Sequence, residues 1–395
     1  GTTYLNNFDG FRFAAPIRNE FRTYIGRLDV KLNESGSQNL FLRVNGQDDA
    51  INDPPQFSGQ PPRSQTFYKN FGLALGYDWA VSSSLMNTFR YGLTRIDAEE
   101  QGRVKSNYLQ FRFFSDLEPI TFTSARKTPT HSFVDELSWL KGTHTLKLGA
   151  NVRLVRIPGS RNNGSFLSAT VNPSWVAGIG RRFMPGNTAF CTSPGCNAVP
   201  AASPAFAAAY ADPWITYLGI LTQANLRANY DQQGNLLSVG KAVEREFGTE
   251  EYELYVQDSW RIRPSLTVTA GVRYSLFTPP YEVNGQQVAP SISMGEWFAE
   301  RERNMQQGIP SNRSPIITFD LAGKANGKKG FYETDKNNFA PRFSLAWTPK
   351  AEGGILGWLT GGDRIVIRGG YSKVFDRIGQ GIARNFDSAF AFGMA

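Results

Sequence analysis

No stretch of this chain approaches the roughly 20 consecutive apolar residues that a membrane-spanning helix needs, and its mean hydropathy is −0.35. That excludes helical spans. It leaves strand spans open, because in a barrel only every second residue meets lipid and any window averages to polar. Histidine and cysteine are nearly missing, with 2 of each among 395 residues. A hydrolase or metal centre groups His with carboxylates or thiols, whereas His131 and His144 flank one predicted hairpin, His144 in its short turn. No catalytic residue, metal ligand or cofactor is expected. His-Glu-x-x-His, Gly-x-Ser-x-Gly and a phosphate-binding loop are all lacking. Gly159–Gly164 reads as a turn, since neither a Lys-Ser/Thr pair nor a helix follows it. The formal charge of +8 is scattered, and its densest run, Lys324–Lys329, reads as a flexible loop. No nucleic-acid partner is expected. The first residues, Gly1-Thr-Thr-Tyr-Leu-Asn-Asn, lack the charged and apolar regions of a signal peptide. The last, Ala389–Ala395, do not end a strand on an aromatic, so a fragment is expected.

What the chain does have is aromatic residues (29 Phe, 15 Tyr, 8 Trp), 39 Gly, and a recurring hairpin. In Glu251–Ser275, Tyr252, Leu254, Val256 and Trp260 alternate with Glu251, Glu253, Gln257 and Ser259. An Arg263–Ser265 turn follows. Leu266, Val268, Ala270, Val272 and Tyr274 then alternate with Thr267, Thr269, Gly271, Arg273 and Ser275. A period of two puts each set on one face of a sheet. The same pattern pairs Phe21–Leu32 with Asn39–Val44, Phe71–Trp79 with Leu85–Leu93, Ser132–Leu140 with His144–Leu154, and Phe339–Trp347 with Ile365–Phe375. Between the hairpins, Gly46–Gln65 reads as a loop, as do the stretches up to about Thr130 and up to about Lys336. Three weaker strands are predicted near Tyr108–Phe114, Gly164–Thr170 and Gln223–Tyr230, and a short helix within Ala201–Leu221. About ten firm strands, with short turns on one side and long loops on the other, predict an all-β, antiparallel transmembrane β-barrel.

Several segments resemble one family. They are Asp135–Ala150, Tyr255-Val-Gln-Asp-Ser-Trp-Arg261, Leu266–Tyr274, Asn337-Asn-Phe-Ala-Pro-Arg-Phe343 and Ile367-Arg-Gly-Gly-Tyr371. Together they are similar to the barrel of TonB-dependent outer-membrane receptors, closest to the Oar-like subgroup, over most of the chain from about Phe21. The resemblance implies a barrel of about 22 strands filled by an N-terminal plug. It also implies a TonB box coupled to an inner-membrane energy source. Neither plug nor box is found, so residues 1–395 are expected to be a piece of barrel wall lacking the plug and the closing strands. The implied partners are outer-membrane lipid, the TonB complex through the N-terminal region, and an extracellular solute.

On this reading Arg273, Arg342, Arg368, Glu251 and Glu253 occupy inward, polar positions and line the lumen. Trp79, Trp139, Trp260 and Trp347 fall near the short turns, as an interfacial girdle would. Cys191 and Cys196, separated by Pro194-Gly195, are expected to form a disulfide in an oxidising compartment. Three readings compete. A passive porin shares the wall. A small barrel enzyme would need a His–Asp pair at the long-loop rim, yet the histidines read as lying at or near the short-turn end. A secreted β-sandwich adhesin would not have strands whose two faces differ so sharply.

Overall fold

The computed structural model describes residues 12–112, 115–172, 213–214, 216–227, 229–231, 233–349, 353–360, 365–377 and 381. In chain order the strands are β1 (Glu20–Lys31), β2 (Gln38–Asn52), β3 (Gln65–Ser82), β4 (Leu85–Gln101), β5 (Tyr108–Phe111) and β6 (Ser124–Lys141). There follow β7 (His144–Arg161), β8 (Ser168–Val171), β9 (Gln223–Asn225), β10 (Val243–Arg263) and β11 (Leu266–Phe277). The last are β12 (Tyr281–Glu282), β13 (Val288–Pro290), β14 (Phe319–Leu321), β15 (Phe339–Trp347) and β16 (Ile367–Ser372).

One large sheet runs β1-β2-β3-β4-β6-β7-β10-β11-β15-β16, antiparallel throughout. These are the ten strands that alternation predicts. Among the described residues the sheet is open, with β1 and β16 at its edges. The three weaker strands exist but stand apart, as a small sheet β5-β8-β9 built from two of the long connections. Of the predicted short helix, Pro213, Trp214 and Thr216–Leu218 are helical, Gly219–Leu221 are not, and the rest lies outside the described residues.

Cross-strand register shows how the faces are built. Leu28, Leu42, Leu75, Tyr91, Phe133, Val152, Tyr252 and Leu276 pair in succession across eight strands. One position further along, the row reads Asp29, Phe41, Gly76, Arg90, Val134, Asn151, Glu253 and Ser275. Directly paired residues share a face, so the first row belongs to an apolar face and the second to a polar one. An outer-membrane barrel turns the first to lipid and the second to its wet interior.

The strands are longer than alternation suggests. Gly46–Asn52, read as loop, is the second half of β2, paired with Gln65–Phe71. β6 begins at Ser124 instead of near Thr130, and β10 at Val243 instead of Glu251. Gly159–Arg161, read as turn, completes β7. These extensions reach beyond the apolar band, where water wets both faces and no hydrophobic alternation marks the strand. The connection after β11 holds β12, β13, β14 and a helix, Met294–Gln306, capped by the Ser293 side chain. On the other rim four turns are short. The β15–β16 connection is not, and carries a helix, Gly354–Thr360.

Candidate functional site: the polar wall

The sequence-predicted polar residues come together on the polar face. Glu253 accepts hydrogen bonds from Arg273 Nη1 (3.1 Å), Asn151 Nδ2 (3.0 Å) and Ser275 Oγ (3.2 Å). Two positions along β10, Glu251 pairs with Arg153 at 3.1 Å and with Arg377. Arg342 donates to Gln257 Oε1 at 3.1 Å. Arg368 sits nearer the β16 edge, beside Thr267, Thr269 and Ser344, in a groove of about 350 Å³. The five expected residues therefore form two ion clusters on β7–β11, one hydrogen-bonded arginine on β15 and one at the edge.

Sequence reading missed the residues that complete this wall. Tyr255 donates its hydroxyl to Glu136, which also accepts from Lys147 Nζ at 3.0 Å. In register, Tyr255 lies opposite Gly149, and Gly149 opposite Glu136. A Cβ at Gly149 would collide with the Tyr255 ring. The glycine thus lets the ring lie flat across β7 and reach the second strand over. Phe41 crosses Gly76 in the same way, with the Arg27 and Arg90 guanidiniums 4.5 and 5.2 Å from its centroid. Arg90 continues to Asp78 at 2.6 Å. An aromatic directly opposite a strand glycine was the signal available in the sequence. It becomes legible only when the register is known.

The apolar face carries two features that alternation alone overlooks. Asp135 and Asp258 both lie on it, in rows of apolar residues. Asp135 accepts from Asn87 Nδ2 at 2.8 Å. Asp258 lies 2.7 Å from His144 Nδ1, and the His144 ring stacks on Trp260 at 5.3 Å. His131 shares the apolar face, with its Nδ1 2.9 Å from the Tyr91 hydroxyl. It stands mid-strand, ten positions before the end of β6, not near the short turns as expected. Neither histidine therefore faces the polar wall. Among the described residues no group of three or more His, Cys, Asp or Glu could hold a metal ion.

The four tryptophans all lie on the apolar face, within three residues of the strand end at one rim; Trp79, Trp139 and Trp260 precede short turns, whereas Trp347 precedes the long β15–β16 connection. From β3 to β6, β10 and β15 they step by one outward position per hairpin in the cross-strand register. Each is 39–44% exposed. Cys191 and Cys196 lie outside the described residues.

At the opposite rim β12 folds back on β10 and closes a small polar cluster. Glu250 Oε1 accepts from Tyr281 Oη (2.6 Å) and Arg156 Nη1 (2.9 Å), while Lys324 Nζ sits 4.7 Å over the Tyr281 ring. Burial, reinforced by the hydrogen bond to Glu250, pushes the Tyr281 phenol up to about 12.

Comparison with known proteins places this architecture. No curated protein sequence matches the chain. Among solved structures it is similar to the copper transporter OprC, with 8% identity and a TM-score of 0.43 over 85% of this chain and 35% of that one. It is also similar to the outer membrane transporter YddB from Escherichia coli, with 11% identity and a TM-score of 0.38 over 86% and 39%. A third is the ferric-catecholate import receptor Fiu from Escherichia coli, with 10% identity and a TM-score of 0.37 over 84% and 41%. The chain thus spans well under half the length of these structures. The model of the outer membrane beta barrel domain matches residues 2–394. Matched over nearly its whole length and built from lipid-facing and water-facing rows, the chain belongs to the outer membrane β-barrel domain family and resides in the outer membrane.

Proposed function

We propose that residues 1–395 are part of the barrel wall of a TonB-dependent, Oar-like receptor that imports an extracellular solute. The observation that carries this reading is the polar face. It holds cross-strand clusters of both charge signs over several strands, the lining of a wide, wet lumen that a plug can gate. Long connections with their own small sheets stand at one rim, where a solute would be captured. The motif resemblance across Asp135–Phe343 supports the subgroup. Catalysis is not part of the proposal, since both histidines stand on the outward face.

The full-length protein in a planar bilayer tests this against the passive porin. A plugged receptor stays closed and loses solute uptake when the TonB partner is deleted. A steady open conductance that ignores TonB would move the porin reading to first place.

A further inference from the structure

A cavity of about 750 Å³ lies against the polar face toward the long-connection rim, under the segment Ile120–Thr123. That volume is in the range of ligand sites, roughly 300–1,000 Å³. Its floor is apolar, from Ile96, Ile157 and Phe247, and its walls carry Arg126, Arg161 and Arg245. Glu100 is the one carboxylate among its described lining residues.

The three arginines surround one glycine. Arg126 on β6 pairs with Gly159 on β7, and Gly159 pairs with Arg245 on β10. The two arginines therefore flank Gly159 in a single row, about two strand spacings, or ~10 Å, apart. Arg161 follows two residues along β7 on the same face. Two other glycines on this face are roofed by rings, Gly76 by Phe41 and Gly149 by Tyr255. A Cβ at Gly159 would meet only the Ala125 carbonyl oxygen, at 3.3 Å. The space between the arginines is open. Directly below, the β6–β7 ladder breaks between Arg126/Gly159 and Thr130/Val155. Pro129 and Pro158, which have no N–H to donate, lie in that gap.

Arg245 is anchored by Nη1, which donates to the Glu244 carbonyl (2.8 Å) and to Gln286 Oε1 (3.1 Å). Arginines lining one cavity recognise oxyanions, because their planar N–H forks match carboxylate and phosphate geometry. We propose that this cavity binds an anionic solute, carboxylate or phosphate groups carried on an apolar frame, with the anionic groups between Arg126, Arg161 and Arg245. The proposal rests on the transporter reading for its biological role, and on the geometry alone for its chemistry.

The test is calorimetric titration of the full-length protein in detergent with trimesate, a flat aromatic tricarboxylate, beside its neutral triol analogue. Trimesate is expected to bind, with the triol at least about tenfold weaker and the trimesate affinity falling as salt rises. Arg126→Gln and Arg245→Gln should each weaken trimesate roughly tenfold or more. Gly159→Leu fills the gap but keeps all three charges, and should weaken it as much; Lys69→Gln, on the outward face, should leave it unchanged. All variants must keep the wild-type heat-modifiable gel shift. No trimesate binding, equal binding of the triol, or an affinity indifferent to Gly159→Leu would overturn the proposal. Any of these alongside retained TonB-dependent uptake would sink the cavity assignment alone. Trimesate binding in a protein that conducts freely would support the anion site and remove the transporter reading.

Discussion

Leu148 and Lys147 are chain neighbours with opposite solvents. Leu148 stands on the apolar face, paired with Leu137 and Val256; Lys147 stands on the polar face, bonded to Glu136. An arginine at Leu148, or at Val268 on β11, would place a charge in hydrocarbon at a cost of roughly 2–4 kcal/mol near the bilayer midplane. Lys147→Ala removes one partner of a part-exposed ion pair, worth about 0–1 kcal/mol. Thr269→Ala removes one hydroxyl contact to Ser259, and should cost about as little. Reversible folding into liposomes would measure all four; equal sensitivity on both faces would refute the lipid-facing assignment. Tyr281 gives a second residue-scale test. Its folded pKa of about 12 exceeds the ordinary value near 10, so its hydrogen bond stabilises fully below pH ~10 and fades as pH rises through ~12. Tyr281→Phe should cost about 1.5–3 kcal/mol at neutral pH, because the bond it loses ends on a carboxylate. The deficit relative to wild type should vanish above pH ~12. A pH-independent difference would contradict the Glu250 contact.

At the scale of elements, the hairpins owe their register to tight turns and their faces to glycine. β6 and β7 turn at Gly142, whose φ of 62° favours a residue without Cβ. Gly149 is needed for a different reason, since the Tyr255 ring lies over it. Gly149→Val should lift Tyr255 away from Glu136 and destabilise the β6–β7–β10 section by about 1–3 kcal/mol, as overpacking does. Tyr255→Ala should relieve much of that penalty in the double variant. A double-mutant cycle showing strict additivity would argue that ring and glycine do not touch. The strand extensions were hidden in the sequence for a related reason. Gln47-Asp48-Asp49 looks like a loop in isolation, yet Asp48 and Asp49 sit opposite Lys69 and Tyr68 in a regular ladder. Beyond the apolar band nothing selects one face over the other, so only the partner strand reveals the structure.

For the whole molecule, the open edges matter most. β1 and β16 leave unpaired backbone N–H and C=O groups among the described strands, and hydrocarbon penalises each such group by several kcal/mol. Closure alone removes edges. Residues 1–395 expressed alone are therefore expected to aggregate or stay unfolded in detergent, and to fold when further strands are supplied. Heat-modifiable monomers of the isolated chain with open-pore conductance would show that its own edges can pair. The stepped tryptophans fit a tilted wall, because each lies one outward position beyond the last in the cross-strand register. If they anchor at the lipid interface, Trp139→Ala and Trp260→Ala should slow membrane insertion more than they weaken the folded state. The expected Cys191–Cys196 bridge is checked by mass measurement without reductant on exported protein; two alkylatable thiols would exclude it.

Alternation by itself determined the ten strands, their two faces and the turn-and-loop asymmetry, because the pleat of a strand forces period two wherever one face is apolar. The motifs at Tyr255–Arg261 and Asn337–Phe343 carried the family likeness. Only the tertiary structure decided what meets across strands: that Tyr255 reaches Glu136 over Gly149, that His131 and His144 turn outward, and that Arg126, Arg161 and Arg245 gather around Gly159. Those residues are separated by up to 119 positions in the chain. Their meeting depends on strand register, a property of paired backbones that no single strand's residues contain.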